Sequence, residues 1–570
     1  MIRKIKEGEI NMKDRKLKEL RRKEVEEMRD KKSLPIGIDD FKTIVEEDYY
    51  YADKTEMIEK LLDDGAGVTL FTRPRRFGKT LNMSMLNYFF NLKNREENRK
   101  LFENLYISKS KYMGQQGEYP VIYLSFKDIK ALNWEKCYYL TKRLIGYLYN
   151  EFEFLREKLN KKDLSDFDKV WLDEKDADWE NSLKNLLRYL YEYYNKKVVV
   201  LIDEYDTPIV SGYNNGYKKE VLDLYRSLYS TVLKSNVHLQ FSVMTGILRI
   251  AKEGIFSGLN NLQVCNIFEK RFSEYYGLTE EEVLEGLKYY NLEYEINDVK
   301  NWYDGYQFGN TEVYNPWSII NFLKDGELKP YWQGTAGNET INELLDRGNR
   351  ELFDDLEKLF NNEKIYKSID DFTEFTNSVS EIWELFLYSG YLTTAGMMKG
   401  NKYPLRLPNT EIRSFFKKRF IDRFLASYKA FTDVIMDLKK GNIEKFGEGL
   451  QNEVLSSLSY FDTDKDENKV FLIGIFVALM NDYVRLSERE SGHGRTDLIL
   501  EPKKKEKPGY IFEFKVADNE EELESYAEEG FEQIKEKKYD TELINRGVTE
   551  ITYIGLAFYK KKLKMKYEKI

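Results

Sequence analysis

The stretch from Val68 to Leu86, VTLFTRPRRFGKTLNMSML, restricts the fold of this chain more than any other. VTLFT has the apolar, β-rich character of a buried strand, Gly78-Lys79-Thr80 ends the loop behind it, and LNMSML continues as a helix. A strand that feeds a helix in this way aims backbone N–H groups and the helix N-terminus at phosphates, while lysine neutralises charge and a hydroxyl reaches Mg²⁺. The pattern G-x-x-x-x-G-K-[ST] has Arg73 where its first glycine belongs. That residue is expected to cost the tight turn that glycine allows, but Gly78 keeps the close approach and Arg75 and Arg76 add positive charge. The nucleotide contacts expected from the loop are Arg75, Arg76, Phe77, Gly78, Lys79, Thr80 and Leu81.

A second element gives the loop its context. KKVVVLIDEYD, Lys196 to Asp206, is an apolar strand ending in Asp203-Glu204. In that arrangement the first carboxylate holds Mg²⁺ with Thr80, and the second orients the attacking water. Acids at a strand end are common where a strand meets solvent; it is the loop and the acids together, in this order, that indicate a P-loop ATPase using ATP and Mg²⁺. VMTGILRI ends another strand and puts Thr245 where a sensor of the γ-phosphate would stand, with Arg249 beyond it, although a strand-end threonine is ordinarily a turn residue. YPVIYLSF and VHLQFSVMTG are further strand-length runs separated by helical segments, which indicates a parallel α/β sheet. Ahead of the loop, LPIGIDDFKTIVEEDYYYADKTEMIEKLLDDG reads as an extended lead-in, a short strand and a helix ending at Gly65.

At 570 residues the chain exceeds one hydrophobic core, and roughly 150 residues per domain gives about two to four domains. Residues 1–33 form a charged N-terminal extension outside the fold, 34–301 the P-loop domain, 302–440 an α-helical lid or connector, and 441–570 a second, smaller α/β unit. In the connector Asn315-Pro316 is a helix start, with Asn as cap and Pro at the first helical position. Its Trp and Tyr residues suit core packing better than contact with a base. A formal net charge of −9 gives no global attraction to nucleic acid or anionic membrane. The longest apolar run, Val470 to Met480, is too short to span a bilayer and reads as a buried helix. With two cysteines far apart and no apolar stretch behind the basic N-terminus, the expectation is a cytoplasmic protein without membrane contact. Oligomeric state is not encoded in any feature of the sequence.

Two histidines exclude a His-rich zinc site, so any metal should be a hard cation held by carboxylates. The C-terminal unit offers such a set. In YIFEFKV, Glu513 and Lys515 leave one face of a strand while Phe512 and Phe514 pack on the other. Asp497, in GHGRTDLIL, begins another short strand that could lie beside Glu513, and Glu467, just before the apolar helix, could reach the same edge. Carboxylates, a hard cation and a lysine suffice for phosphodiester hydrolysis. A half-exposed strand with alternating charge is the plain alternative for Glu-x-Lys alone.

LPIGIDDFKTIV, TRPRRFGKTLNMSML, LIDEYDTPI, MTGILRIAKEGIFSGLNNL and WYDGYQFGNTEVYNPWSI together resemble the AAA-ATPase-like proteins of anaerobic microbes that carry a C-terminal PD-(D/E)XK nuclease-like domain. The likeness covers nearly everything after about Leu34, and in that family arginine is usual at the position of Arg73. The Glu, Asp, Glu-x-Lys order resembles the PD-(D/E)XK core, which implies Asp497 and Glu513 as ligands of Mg²⁺ or Mn²⁺, Lys515 near the attacked phosphate and Glu467 as a supporting acid. Gln533 resembles the helix glutamine of some nucleases in that superfamily, and fits a solvent-facing residue as well. DNA is preferred over RNA by resemblance only. Two functions stay open: an Mg²⁺-dependent ATPase coupled to a nuclease on DNA, or a nucleotide-regulated switch whose C-terminal domain binds nucleic acid or protein without cutting.

Overall fold

The computed structural model describes residues 31–250, 261–332, 350–370, 379–424, 428–455, 479–480, 482–486, 496–559 and 562–570. The chain divides into two compact units, Met1–Tyr331 with Ile369–Thr393, and Trp332–Ser368 with Thr394–Ile570.

The first unit is built on five parallel strands, β1 (Val68–Thr72), β2 (Val121–Ser125), β3 (Val198–Asp203), β4 (Leu239–Gly246) and β5 (Leu262–Cys265), in the order β2-β3-β4-β1-β5. Every residue of β1 and β3 is buried, as a parallel sheet covered by helices on both faces requires. The order places β1 between β4 and β5, far from β2 in space although next to it in sequence. Register then aligns the C-terminal ends: Phe71 lies opposite Thr245, and Ser125 opposite Asp203. The loops that leave these ends therefore converge at one edge of the sheet, where open α/β sheets bind ligands.

The segment read as a short strand ahead of β1 is instead a helix, Phe41–Glu46. Asp40 caps it by accepting the N–H of Thr43 at 2.9 Å, and the other oxygen of the same carboxylate accepts from Ser84 (3.1 Å) and Tyr88 (3.0 Å) of the helix Lys79–Phe90. A capping carboxylate overrides the β preference of the Ile44-Val45 pair. Further on, a short hairpin of β6 (Tyr306–Phe308) and β7 (Thr311–Val313) precedes the helix Pro316–Asp325, which starts as expected: Asn315 accepts the N–H of Ser318 at 3.2 Å and Pro316 holds the first position. Within this unit Gly390 lies so close to the loop after β1 that a Cβ there would stand 2.9 Å from Pro74.

The middle of the chain is helical, with Arg350–Phe360, Val379–Tyr388, Thr410–Phe424 and Tyr428–Lys439, and the short strands β8 (Ile365–Lys367), β9 (Thr393–Thr394) and β10 (Tyr403–Arg406). In the second unit a mixed sheet follows, β11 (Tyr483–Leu486), β12 (Leu498–Pro502), β13 (Gly509–Val516), β14 (Ile551–Tyr559) and β15 (Lys562–Lys569), in chain order. Only β13 and β14 are parallel, and the crossover between them is the helix Leu523–Lys537. The two edge strands are the ones the sequence hid. Tyr483–Leu486 is short, and KLKMKYEK alternates lysines outward along an exposed edge, a pattern that discourages edge pairing and disguises a strand. Of the apolar helix expected at 470–480, residues 470–478 lie outside the described residues, as does Glu467.

The crossover helix lies on β14 at van der Waals distance through glycine. A Cβ on Gly555 would stand 2.3 Å from the carbonyl oxygen of Ala527 and 2.5 Å from the amide nitrogen of Phe531, both helix backbone. Because backbone cannot rotate away as a side chain can, Gly555→Ala is expected to destabilise the second unit by about 2–3 kcal/mol. Chemical denaturation checks this; an unchanged midpoint would show that the helix is free to lift.

Candidate functional site

The loop Arg73–Gly78 leaves β1 and turns into the helix Lys79–Phe90. Its left-handed residues are Arg76 (φ 69°) and Gly78 (φ 76°); Arg73 is not among them. The expected cost of arginine at the first loop position therefore does not arise, because the chain there needs no glycine conformation. Arg73 is fully buried and turned down into the sheet. Its Nη1 donates to the carbonyls of Thr72 (2.9 Å) and Cys265 (2.7 Å), which ties the end of β1 to the end of β5. Its guanidinium carbon lies 5.1 Å from the ring centres of both Tyr276 and Phe308, and burial pulls its pKa down to about 10. Phe77 is buried in the same cluster, 4.9 Å from Tyr306 and 5.1 Å from Phe308. Arg76 lies over the Trp317 ring at 4.2 Å.

Lys79 is buried, and its Nζ donates to the loop carbonyls of Arg73 (3.0 Å) and Pro74 (2.7 Å). Burial lowers its pKa against the opposing pull of Glu204, Asp203 and Asp206. Thr80, the next residue, donates to Asp203 Oδ2 at 2.9 Å. Asp203 is wholly buried at the end of β3, and burial raises its pKa while hydroxyl donors offset part of that effect. Those donors are Thr245, bonded to Oδ1, and Thr80; the Ser125 hydroxyl lies 3.4 Å from Oδ2. Thr245, expected as either sensor or turn residue, is thus buried in direct contact with the acid. Glu204 turns out of the strand in a left-handed conformation (φ 51°) and accepts from Thr207 at 3.0 Å. Arg249 lies beyond the strand end and is half-buried; Leu81 is half-buried in the first turn of the loop helix, and Arg75 is half-buried in the loop itself.

In the second unit, Asp497 lies just ahead of β12 and Glu513 on β13, brought together by the antiparallel pairing of Leu498 with Phe512. The N–H of Asp497 reaches Glu513 Oε2 at 3.4 Å, and Asp497 Oδ2 accepts the N–H of Phe514 at 2.8 Å. Glu513 is 5% exposed; burial first, then the charge of Asp497, push its pKa up to about 7. Burial also raises Asp497. A buried carboxyl and a half-buried one, both with raised pKa values and joined through the Asp497 N–H, offer hard oxygen donors that fit a divalent cation. Lys515 points to the same face, and Gln533 joins the two: its Oε1 accepts from Lys515 Nζ at 2.6 Å and its Nε2 donates to Glu513 Oε1 at 2.5 Å. Gln533 is therefore not solvent-facing. Phe512 and Phe514 pack on the opposite face, where Phe514 stacks on Phe558 at 5.8 Å.

The model of the Predicted AAA-ATPase family matches residues 35–256, and that of the PD-(D/E)XK nuclease superfamily matches residues 467–568. The chain joins an AAA-ATPase-like domain to a PD-(D/E)XK nuclease-superfamily domain. It is also 28% identical over 555 residues to a protein of Azotobacter chroococcum mcd 1 named "Uncharacterized protein in vnfD 5'region", a similarity that spans 93% of this chain and 96% of the relative. Among the described residues no helix is long and apolar enough to cross a membrane.

Several residues of the two domains escaped the sequence reading. Thr496 Oγ1 lies 3.1 Å from Glu513 Oε2 and 3.0 Å from the carbonyl of Phe512, and Gly530 brings the crossover helix within 3.4 Å of Lys515 Cγ, measured from a Cβ built on it. In the AAA-ATPase-like domain Asp206, to which the sequence gives no role, is buried, with a pKa pushed up to about 6 by that burial. A threonine beside an expected acid and a glycine on the inward side of a charged helix were the available signals.

Restoring the loop pattern by Arg73→Gly should harm the protein. The change removes the β1–β5 tie and empties the space between Tyr276 and Phe308, for an expected loss of about 3 kcal/mol. Thermal or chemical unfolding measures it; a variant as stable as the wild type would show that Arg73 holds nothing.

Proposed function

We propose that this protein is an Mg²⁺-dependent, ATP-binding and ATP-hydrolysing protein whose nucleotide state governs a metal-dependent nuclease acting on DNA in the cytoplasm, with residues 302–440 connecting domains 34–301 and 441–570. The nuclease half decides what the protein does, and one observation carries it: Glu513, buried beside Asp497, is linked through Gln533 to Lys515. Glu513 and Asp497 stand against each other with the Gln533 carboxamide between Glu513 and Lys515, and the base of Lys515 pairs with the exposed Glu529 at 3.2 Å and with neither of the two acids.

Asp497 and Glu513 would hold the cation, with Glu467 as a supporting acid. Such a cation, when bound, polarises a phosphodiester and lowers the pKa of water. Lys515 would place positive charge beside the attacked phosphate, and Gln533 fixes its direction while keeping Glu513 Oε1 in place. In the AAA-ATPase-like domain Lys79 would exchange the loop carbonyls for phosphates, with Arg75 and Arg76 adding charge and the backbone from Phe77 to Leu81 supplying donors. Thr80 and Asp203 would hold Mg²⁺, Glu204 would orient water, and Thr245 and Arg249 would sense the γ-phosphate. A second reading, the nucleotide-gated switch without cutting, is favoured by Arg76: a left-handed loop residue lying on Trp317 links the loop to the helix Pro316–Asp325.

Cleavage of plasmid and linear DNA, with Mg²⁺ or Mn²⁺ and with EDTA, tests the proposal. Cutting should require the metal, and Asp497→Ala, Glu513→Ala and Lys515→Ala should each slow it by about a hundredfold or more while ATP binding survives. An Asp497→Ala protein that cuts at the wild-type rate would end the nuclease reading. A folded, ATP-binding wild type inactive on DNA and RNA would favour the switch.

A further inference from the structure

Four consecutive residues, Asp203-Glu204-Tyr205-Asp206, each bond to the chain that leaves β4. Asp203 accepts from the Thr245 hydroxyl, and Glu204 donates its N–H to Thr245 Oγ1 at 3.4 Å. Tyr205 donates its N–H to the Thr245 carbonyl (3.0 Å) and its hydroxyl to the Leu248 carbonyl (2.8 Å), and that hydroxyl accepts the N–H of Ile250 (3.1 Å). Asp206 Oδ2 accepts the N–H groups of both Ile247 and Leu248 at 2.8 Å. Beyond Gly246 the chain has left the β1–β4 ladder, so side chains of the β3 loop take over the amides that a strand would have paired.

The contact is close as well as polar. A Cβ on Gly246 would stand 2.7 Å from the Tyr205 ring and 2.8 Å from Asp206 Oδ1, so only glycine lets the two segments meet. The Gly246 carbonyl also accepts the N–H of Arg73, the first residue of the phosphate loop, at 3.1 Å. Tyr205 is fully buried and Asp206 3% exposed, and Tyr229 anchors the turn by donating to the Tyr205 carbonyl at 3.1 Å. Burying a tyrosine hydroxyl and a carboxylate is unfavourable unless every donor and acceptor is placed, and apolar side chains would fill the same volume at lower cost. Position is what the polar pair adds.

We infer that Tyr205 and Asp206 are positioning residues for ATP hydrolysis, clasping Ile247–Ile250 so that Arg249 keeps a fixed place relative to Asp203 and Glu204. The inference rests on the ATPase reading given above. Arg249 stands between the two clasped residues Leu248 and Ile250, so its backbone cannot shift without breaking bonds to Tyr205 or Asp206.

The test uses the full chain with Asp206→Asn, Asp206→Ala and Tyr205→Phe, and reads three quantities: the Kd for ATP with Mg²⁺, kcat, and amide hydrogen exchange at Ile247, Leu248 and Ile250. Asp206→Asn keeps an oxygen acceptor for both amides and should hold kcat within about threefold of wild type, whereas Asp206→Ala should lower kcat about tenfold or more with Kd within about threefold. In Asp206→Ala, exchange at Ile247 and Leu248 should speed up about tenfold or more with β1 unchanged, and Tyr205→Phe should do the same at Ile250. Wild-type kcat in Asp206→Ala, or unaltered exchange in a protein that hydrolyses ATP, overturns the inference alone. Equal damage from Asp206→Asn and Asp206→Ala with protected amides also overturns it, since the charge and not the acceptor would then matter. A wild type that turns over no ATP overturns the ATPase reading and this inference together.

Discussion

A carboxylate buried at the end of a strand has to be given donors, and in this protein Asp203 receives them from three other elements. Ser125 comes from β2, Thr245 from β4 and Thr80 from the helix after the loop Arg73–Gly78. An uncompensated charge at that depth would cost several kcal/mol, so the hydroxyls hold the strand ends and the loop helix in one arrangement. The parallel order β2-β3-β4-β1-β5 is what makes this possible, since it places β3 between the two strands that supply Ser125 and Thr245. The sequence constraint is correspondingly strict: small hydroxyl residues at three separate strand or helix ends, and glycine at 246 where the chains meet.

The second unit solves the same problem with a different outcome. Glu513, buried within β13, and Asp497, half-buried just ahead of β12, are also neighbouring acids, but their protein donors are an amide side chain, backbone N–H groups and Thr496. Raised pKa values remain, about 7 at Glu513. Each acid thus keeps an affinity for something positive, proton or cation. The glycines at 530 and 555 serve this arrangement, because they let the helix that carries Gln533 lie close enough for its side chain to reach both Glu513 and Lys515.

Much of this was legible in the sequence because it is local. The strand-loop-helix of VTLFTRPRRFGKT, the apolar run into Asp203, the Asn315-Pro316 helix start and the two-residue period of Glu513 and Lys515 are each read within a few residues. What was not legible depends on partners distant in sequence. Arg73, expected to cost a tight turn yet usual in the family the chain resembles, is a tie between β1 and β5 beside the rings of Tyr276 and Phe308; nothing near it in the chain announces those contacts. Phe41–Glu46 looked like a strand because Ile44-Val45 is β-branched, and became a helix because Asp40 is fixed by Ser84 and Tyr88 of another helix. β11 is hard to read because it is only four residues long, and β15 because lysines alternate along it. Gln533 was ambiguous for a related reason: a glutamine on a charged helix shows its inward direction only once Gly530 and Gly555 have set the helix against the sheet.

In the function proposed above, the hydroxyl-lined carboxylate Asp203 and the loop Arg73–Thr80 together receive a magnesium nucleotide. Calorimetric titration of ATP, with Mg²⁺ and with EDTA, into the wild type and Asp203→Asn tests it most directly. The account predicts that Mg²⁺ tightens binding to the wild type by about tenfold or more, and that this gain disappears in Asp203→Asn while metal-free binding stays within about threefold. Equal ATP affinity with and without Mg²⁺ in the wild type, or an undiminished Mg²⁺ gain in Asp203→Asn, would contradict it.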